Sequence, residues 1–415
     1  MRYLGEDRPI SGTQSEQMRN PVPARPGETN LTRHFRVACA ATSAVAIAGL
    51  FVTATLAVAS PASTLRLNTK ATAANSSTDA QTNAQAVRKV LRQSTKVAGA
   101  APSASPSPSI GSDVASRLAG LKLVNYYPAY HGWSRMWFEW DPAAIQADFT
   151  RMSAMGANGV RLILPVDVIG YPVPASTMVA RLADAISMAA GSGLRVQITL
   201  FANWSSYSDL TTSESWAKSI LSPYKADPRI VFVEIMNEIN PRDATAMEWA
   251  RNMLPFVRSV SGLPVAVSGQ VGDMNTFAAL VQALDTARPD IFSYHFYSSD
   301  PTIANGSFYW AKRIAAPTPV FVGETGMSTG LSGTDPSDPS MEHDQDVFFR
   351  AVEAASRYVG LPAPAPWIWQ DFAPGTLCTC APGTEYHFGL LRLDGSEKPA
   401  FVTLRDFFKF GIVRQ

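Results

Sequence analysis

The sequence is short of charge, of cysteine and of any excess of one sign. Only 17% of its 415 residues are charged, and they balance to a formal net charge of +1. No basic run supplies the electrostatic footprint of a polyanion-binding protein, so nucleic acid is excluded as a main partner. Three cysteines cannot build a disulfide framework, and neither paired CxxC nor HxxxH spacing offers structural zinc. No Gly-rich turn follows the first apolar strand candidate, where Asn125-Tyr126-Tyr127-Pro128 stands instead, so a doubly wound dinucleotide fold lacks its phosphate loop. No cofactor and no metal are expected. What the chain has in quantity is apolar surface: 46% of it is hydrophobic and 10% aromatic, enough to bury a large core and to exclude disorder throughout.

Composition divides the chain into four stretches. Residues 1–36 are polar and aperiodic, a disordered cytoplasmic or leader tail. Residues 37–60 begin with a charge-free run of about 23 residues, long enough at about 1.5 Å each to cross a hydrocarbon core. Arg33 and Arg36 precede it, so the positive-inside rule places everything after it outside. Two outcomes stay open: a signal peptide cut at Ala57-Val58-Ala59, or an uncleaved signal anchor. Either predicts an extracellular protein, secreted or tethered to the outer face of the plasma membrane, with the membrane touched only through this segment. Residues 61–115 form an Ala/Ser/Thr/Pro-rich disordered linker, and residues 116–415 the catalytic domain. A monomer is expected.

Within 116–415, β-branched or aromatic runs alternate with amphipathic stretches. The strand candidates are 121–126, 159–164, 195–201, 230–236, 264–267, 291–296, 319–323 and 366–369. Asp141 and Pro142 read as the N-cap and first residue of one intervening helix, and Gly360 as the end of another. Eight such pairs predict an α/β fold of the (β/α)8 TIM-barrel type.

In such a barrel the site lies where strands end. Asn237-Glu238 follows the fourth strand and Gly323-Glu324-Thr325-Gly326 the seventh, which delivers two carboxyl groups to facing sides of one rim. Glycosidic bond cleavage needs that pair: one group protonates the departing oxygen while the other attacks or stabilises the anomeric carbon. Arg161 lies on the second strand, and His295 and Tyr297, two apart on the sixth, share a face. Trp367 and Trp369 repeat that spacing on the eighth, with core packing expected for Trp367. Glu234 is expected to partner a barrel arginine. The loop after the first strand carries Tyr126, Tyr127, Tyr130, His131, Trp133, Trp137, Phe138 and Trp140. About half of these should fill the rim and the rest, Trp137 among them, should meet sugar faces. Asn203, Trp204 and Tyr207 after the third strand would extend the cleft. Cys378 and Cys380 are two apart, and both a bonded and a reduced pair are open.

Asn237-Glu238, His295-x-Tyr297, Val-Gly-Glu324-Thr-Gly, Trp369 and the tail Phe388-Gly-Leu-Leu-Arg-Leu-Asp-Gly-Ser-Glu-Lys-Pro-Ala400 together resemble glycoside hydrolases of clan A, most closely the family-five cellulase group. The resemblance covers about residues 121–408. It implies a retaining β-glycosidase acting on a β-linked poly- or oligosaccharide, with Glu238 as acid/base and Glu324 as nucleophile. It further implies that Asn237 binds the sugar 2-hydroxyl, that Arg161 and Tyr297 flank Glu324, that His295 supports the acid/base side and that Trp369 stacks under the sugar. Ile239 stands where the family has proline, and Asn203-Trp204 where it commonly has histidine. Retention would require the two carboxyl groups about 5 to 5.5 Å apart, against roughly 6.5 to 9.5 Å for inversion. Transglycosylation on the same residues and a catalytically silent carbohydrate-binding barrel are the alternatives.

Overall fold

The structure, a computed structural model, describes residues 110–271 and 273–413. The tail 1–36, the apolar segment 37–60 and the linker as far as residue 109 lie outside the described residues. Among the described residues no helix is long and apolar enough to cross a membrane.

Seven parallel strands follow one another in sequence order: β1 Leu123–Asn125, β2 Gly159–Pro165, β3 Arg195–Ala202, β4 Ile230–Glu234, β5 Val265–Ser268, β6 Ile291–Phe296 and β7 Val320–Thr325. Almost every strand residue is buried. That is why the strands read as continuous apolar runs: helices cover one face and the barrel interior the other. Helices such as Pro142–Met155, Ala244–Ser261 and Pro339–Val359 make the crossovers that parallel pairing requires. Their ends carry the signals expected of them. The Asp141 carboxylate accepts from the amides of Ala143 (3.1 Å) and Ala144 (3.0 Å), and Gly360 closes the helix Pro339–Val359 at φ +72°.

The predicted eighth strand is not a regular one. Residues 365–369 nevertheless bond to both open edges. Thr325 N–H donates to Ala365 O (3.0 Å) and Trp367 N–H to Thr325 O (2.7 Å), while Asn125 N–H donates to Pro366 O (3.2 Å) and Trp369 N–H to Asn125 O (3.2 Å). The ring is thereby closed between β7 and β1. Beyond Trp367 the backbone leaves the strand path to pair with residues 388–391, through Ile368 N–H to Phe388 O and Leu391 N–H to Trp369 O, both 3.2 Å. Strict side-chain alternation does not survive that turn.

The N-terminal boundary also moves. A helix, Ile110–Leu118, begins inside the stretch assigned to the linker, so the folded domain starts before residue 116. Val114 and Leu118, one helical turn apart, are buried in one cluster with Leu121, Leu123, Val231, Phe232, Ile291 and Phe321, near the start of the strands. Arg117 donates from Nη1 to the carbonyl of Ile230, the first residue of β4 (2.9 Å). The helix therefore plugs the end of the barrel opposite the strand C-termini. Replacing Leu118 by Ala should lower the unfolding free energy by about 2–5 kcal/mol, as buried leucines do. Chemical denaturation followed by fluorescence checks this, and a change under about 0.5 kcal/mol would show that the plug adds nothing to the fold.

Candidate active site

β2 is apolar apart from one residue, Arg161, whose side chain is almost fully buried. A buried guanidinium is tolerable only if its five N–H groups and its charge are matched. Here they are. Nε donates to Thr199 Oγ1 (2.8 Å), Nη2 to Glu234 Oε2 and Asn237 Oδ1 (both 2.7 Å), and Nη1 to Asn125 Oδ1 (3.0 Å) and to Glu324 Oε1. β1, β2, β3, β4 and β7 are thereby tied through one side chain. The expected partnership of Glu234 with a barrel arginine is this one. Thr199 and Gln197 donate to the same Glu234 oxygen, at 2.7 and 3.1 Å. Burial pushes the Glu234 carboxyl up, yet the charges of Arg161 and His295 and the hydrogen bonds from Thr199 and Arg161 together hold the group below its ordinary value. The same two carboxylates raise Arg161 against its own burial.

The two carboxyl groups that the resemblance marks as catalytic come together as their strand positions require. In the β6–β7 ladder His295 is the register partner of Glu324, so both project from one face. Glu238 arrives from the segment after β4, which runs beside β5, with Ile239 N–H on Ser268 O (3.0 Å). Its backbone is left-handed, at φ +54°, a conformation that costs a non-glycine residue about 1–3 kcal/mol. The Ser268 hydroxyl accepts from its amide at 3.0 Å. One oxygen of Glu238, one of Glu324 and a ring nitrogen of His295 lie within 4.8 Å of one another. Such an approach suits the short carboxyl separation of a retaining site better than the wider one of an inverting site.

The environments of the two acids differ. Glu324 receives Arg161 on Oε1 and the Tyr297 hydroxyl on Oε2 (2.9 Å). Glu238 faces only His295 Nδ1, at 2.8 Å. Burial pushes the Glu238 carboxyl up, and the neighbouring Glu324 charge adds to this against the opposing histidine contact. Burial likewise raises the Tyr297 hydroxyl, helped by Glu324, so it stays a donor. His295 is disfavoured as a cation by burial, but the Glu324 and Glu238 carboxyl groups reverse that and raise it. The trio Glu238, His295 and Glu324 also has the spacing of metal ligands. The Arg161 guanidinium already supplies positive charge to Glu324, and with the Tyr297 donor this is the environment of a carboxylate held for attack on carbon.

The geometry corrects the sequence expectations for Trp369, Trp137, Trp204 and Asn203. Trp369 is fully buried and faces away from the site: its indole N–H donates to Asp148 Oδ1 (3.0 Å) and its ring packs on Phe401 of the helix Pro399–Phe410. The departure of residues 368–370 from strand geometry has turned it outward. Trp367, expected in the core, is buried with 9% of its surface left; it stands edge to face with Tyr127 and donates its indole N–H to Glu385 Oε1 (2.9 Å). Trp137 is fully buried, because the short helix Arg135–Phe138 turns it inward, where it donates to Ile163 O (2.8 Å) and stacks on Trp140. Trp204 is enclosed by Tyr171 and Phe201, with ring centroids at 4.4 and 5.7 Å, rather than presented as an open platform. Asn203 is exposed and hydrogen-bonds Asp167; no described hydrogen bond joins it to the carboxyl pair.

Other neighbours of the pair were missed. Asn125 spans the closing seam, donating Nδ2 to Gly323 O (2.9 Å) and Pro366 O (3.2 Å) while its Oδ1 serves Arg161. Its position at the end of the first strand was the available signal. Tyr127 is raised by burial and feels Arg161, Glu324 and Glu385. Glu385 sits in the long segment after the closing strand, where nothing in the local sequence marks it. Cys378 and Cys380, in the same segment, are disulfide-bonded.

Comparison with known proteins agrees with this geometry. The model of the cellulase family, glycosyl hydrolase family 5, matches residues 122–356, more than half of the chain. No match is found among curated protein sequences. Among solved structures, the exo-β-1,4-mannosidase Op5Man5 from Opitutaceae bacterium strain TAV5 is similar at 21% identity and a TM-score of 0.56, over 69% of this chain and 58% of that one. The chain thus spans little more than half the length of that relative. A GH5_18 protein from Streptomyces cattleya, in complex with GlcNAc, is 18% identical with a TM-score of 0.56, over 70% of this chain and 81% of that one. A GH5_18 protein from Bifidobacterium longum subsp. longum ATCC 55813, in complex with Manβ1-4GlcNAc, is 16% identical with a TM-score of 0.57, over 71% and 80%. These likenesses show the same barrel fold. With carboxyl groups at the ends of β4 and β7 and an arginine on β2 holding one of them, the chain belongs to the cellulase family, glycosyl hydrolase family 5.

Proposed function

We propose that the protein is an exported retaining β-glycosidase acting on a neutral β-linked oligo- or polysaccharide that contains manno- or gluco-configured sugars. The observation that supports the mechanism is the approach of one oxygen of Glu238 and one of Glu324 to within 4.8 Å, which suits the short carboxyl separation of a retaining site. In the first step a Glu324 oxygen attacks the anomeric carbon while the Glu238 proton passes to the departing glycosidic oxygen. In the second, water gives its proton to Glu238 and its oxygen to the same carbon, releasing Glu324. Arg161 and Tyr297 hold the nucleophile, and Asn237, itself fixed by Arg161 Nη2, is placed for the sugar 2-hydroxyl. Trp367 takes over the stacking role expected of Trp369.

The sugar class rests on the exo-β-1,4-mannosidase and the GH5_18 complex with Manβ1-4GlcNAc, which bring mannosides forward for this chain. Export rests on the apolar segment 37–60, and the Cys378–Cys380 disulfide fits an oxidising compartment.

Reducing-sugar release on β-mannans, β-glucans, xylans and galactans is the direct test. One polymer should be cut, and Glu324→Ala should lower that activity by about 10³-fold or more. A 2-deoxy-2-fluoro glycoside should label Glu324, as read by peptide mass mapping; a label on another residue would remove the assigned nucleophile. Because the Glu238 pKa is raised and its protonated form is the acid, kcat/KM should be held below that pKa and fall as pH rises through it. A rate on polymer that is still flat at high pH would contradict the role. Finally, Trp367→Ala should reduce kcat/KM by about tenfold or more through lost stacking. Trp369→Phe should cost stability, about 1–3 kcal/mol for the unpaired Asp148, with KM unchanged.

A further inference from the structure

A third carboxyl group, that of Glu385, stands beside the pair. It lies on a single tight turn, Gly383–His387, that is clamped from two sides. On one side the Ser328 hydroxyl donates to Thr384 O (2.7 Å), and His387 Nε2 meets Ser332 O (2.6 Å). Gly383 packs so tightly that an added Cβ would fall 2.4 Å from Leu331 O. On the other side Phe372 N–H donates to Tyr386 O (3.0 Å). The Glu385 side chain is then aimed by two indoles: Trp367 Nε1–H donates to Oε1 at 2.9 Å, and Trp133 supplies a second hydrogen bond. Such an arrangement preorganises a carboxyl group rather than leaving it as a solvated surface acid.

Glu385 is only partly buried, so it keeps an open side. That side belongs to the catalytic mouth. Trp367, whose indole holds Glu385, donates its backbone N–H to Thr325 O, next to Glu324, at 2.7 Å, and its ring stands edge to face with Tyr127. Desolvation, the two indole bonds opposing it and the charges of Glu324 and Glu238 leave the group pushed up to about 8, so near neutral pH it carries a proton. A protonated carboxyl both donates and accepts, as a sugar hydroxyl does.

We propose that Glu385 is a specificity-determining residue that hydrogen-bonds a hydroxyl of the sugar attached at Glu324, on the side of the ring away from the leaving group. It rests on the glycosidase assignment for the identity of the ligand. The ligand class is a neutral pyranose: among the described residues Arg161 has its donors engaged by protein groups and His295 faces the Glu238 and Glu324 carboxyl groups, so a sugar carboxylate would meet Glu324 and Glu385 with both cations already partnered. Glu385 acts on the bound sugar and not on the reacting bond.

The test is a binding cycle on the full chain, followed by the fluorescence of Trp133 and Trp367. The probes are methyl β-mannoside and methyl β-glucoside with their 3-, 4- and 6-deoxy analogues. Glu385→Ala should weaken the better parent glycoside by about tenfold, and for one deoxy analogue the same substitution should have less than about a threefold effect, because the hydroxyl it served is already gone. Glu385→Gln, which keeps an acceptor for Trp367, is the second variant and should pick out the same analogue. If Glu385 only holds the two indoles, every analogue will lose affinity by the same factor; that result, or no loss at all, overturns the proposal. Failure of the glycosidase assignment shows elsewhere, as parent glycosides bound by the wild type with no substrate turned over. A wild type that binds none of the probes removes both.

Discussion

A single buried cation organises the catalytic end of this barrel. Arg161 sits on β2 almost fully buried, and its charge and donors must be answered by side chains from β1, β3, β4 and β7. Removing one partner of such a group costs about 3–5 kcal/mol, so each of those strands must hold its register for the cluster to exist. Glu324, the proposed nucleophile, is one of the partners. Its position is therefore set by the same requirement that closes the barrel, since Asn125, which also serves Arg161, bonds the backbones of β7 and the irregular eighth segment. Fold and chemistry share a bond network at this point.

Glu238, the proposed acid/base group, is held by a different logic. Glu238 has no cation of its own; it has a histidine, a strained left-handed backbone and a serine hydroxyl beneath its amide. A carboxyl group that must give up and take back a proton cannot be held by an arginine, because the ion pair would keep it ionised. His295 can face it in either charge state, and its register pairing with Glu324 puts both acids within its reach at 2.8 and 3.5 Å. The asymmetry between the two carboxyl groups thus follows from which strand each is mounted on and what that strand sets beside it.

How much of this was legible in the sequence depended on whether a local rule applied. Seven strands were readable because parallel strands buried on both faces leave uninterrupted apolar runs, and Glu238 and Glu324 because polar residues just beyond such runs fall on the rim. The helix caps at Asp141 and Gly360 were readable for similar reasons. The tryptophans were not. Alternation placed Trp367 and Trp369 together, but alternation is a property of regular strands, and the chain leaves that geometry between them to pair with residues 388–391. Trp137 looked like a loop aromatic until a single turn of helix directed it inward. Glu385 could not have been found, since its place depends on long-range clamps to residues 328–332. The helix Ile110–Leu118 was hidden by the Pro/Ser run directly before it, although Val114 and Leu118 carry the one-turn spacing of an apolar face.

The two carboxylates on Arg161 have a further consequence for reactivity. Were Glu324 its only anion, the full guanidinium charge would fall on the oxygen pair that must leave the carboxylate state to bond carbon, and that stabilisation would be lost at the transition state. Glu234, buried below and bonded by Thr199 and Gln197 as well, takes a share of the charge and never changes protonation or bonding during a turnover. On the proposed double displacement Arg161 would remain partnered when Glu324 becomes an ester, so a glycosyl-enzyme intermediate would not leave an unpaired cation in the interior. The cost that a buried charge would otherwise impose on the intermediate is avoided by a carboxylate that takes no part in the chemistry. The Tyr297 hydroxyl, kept protonated by burial and by the charge on Glu324, can turn from the second carboxylate oxygen to the ring oxygen as that charge disappears.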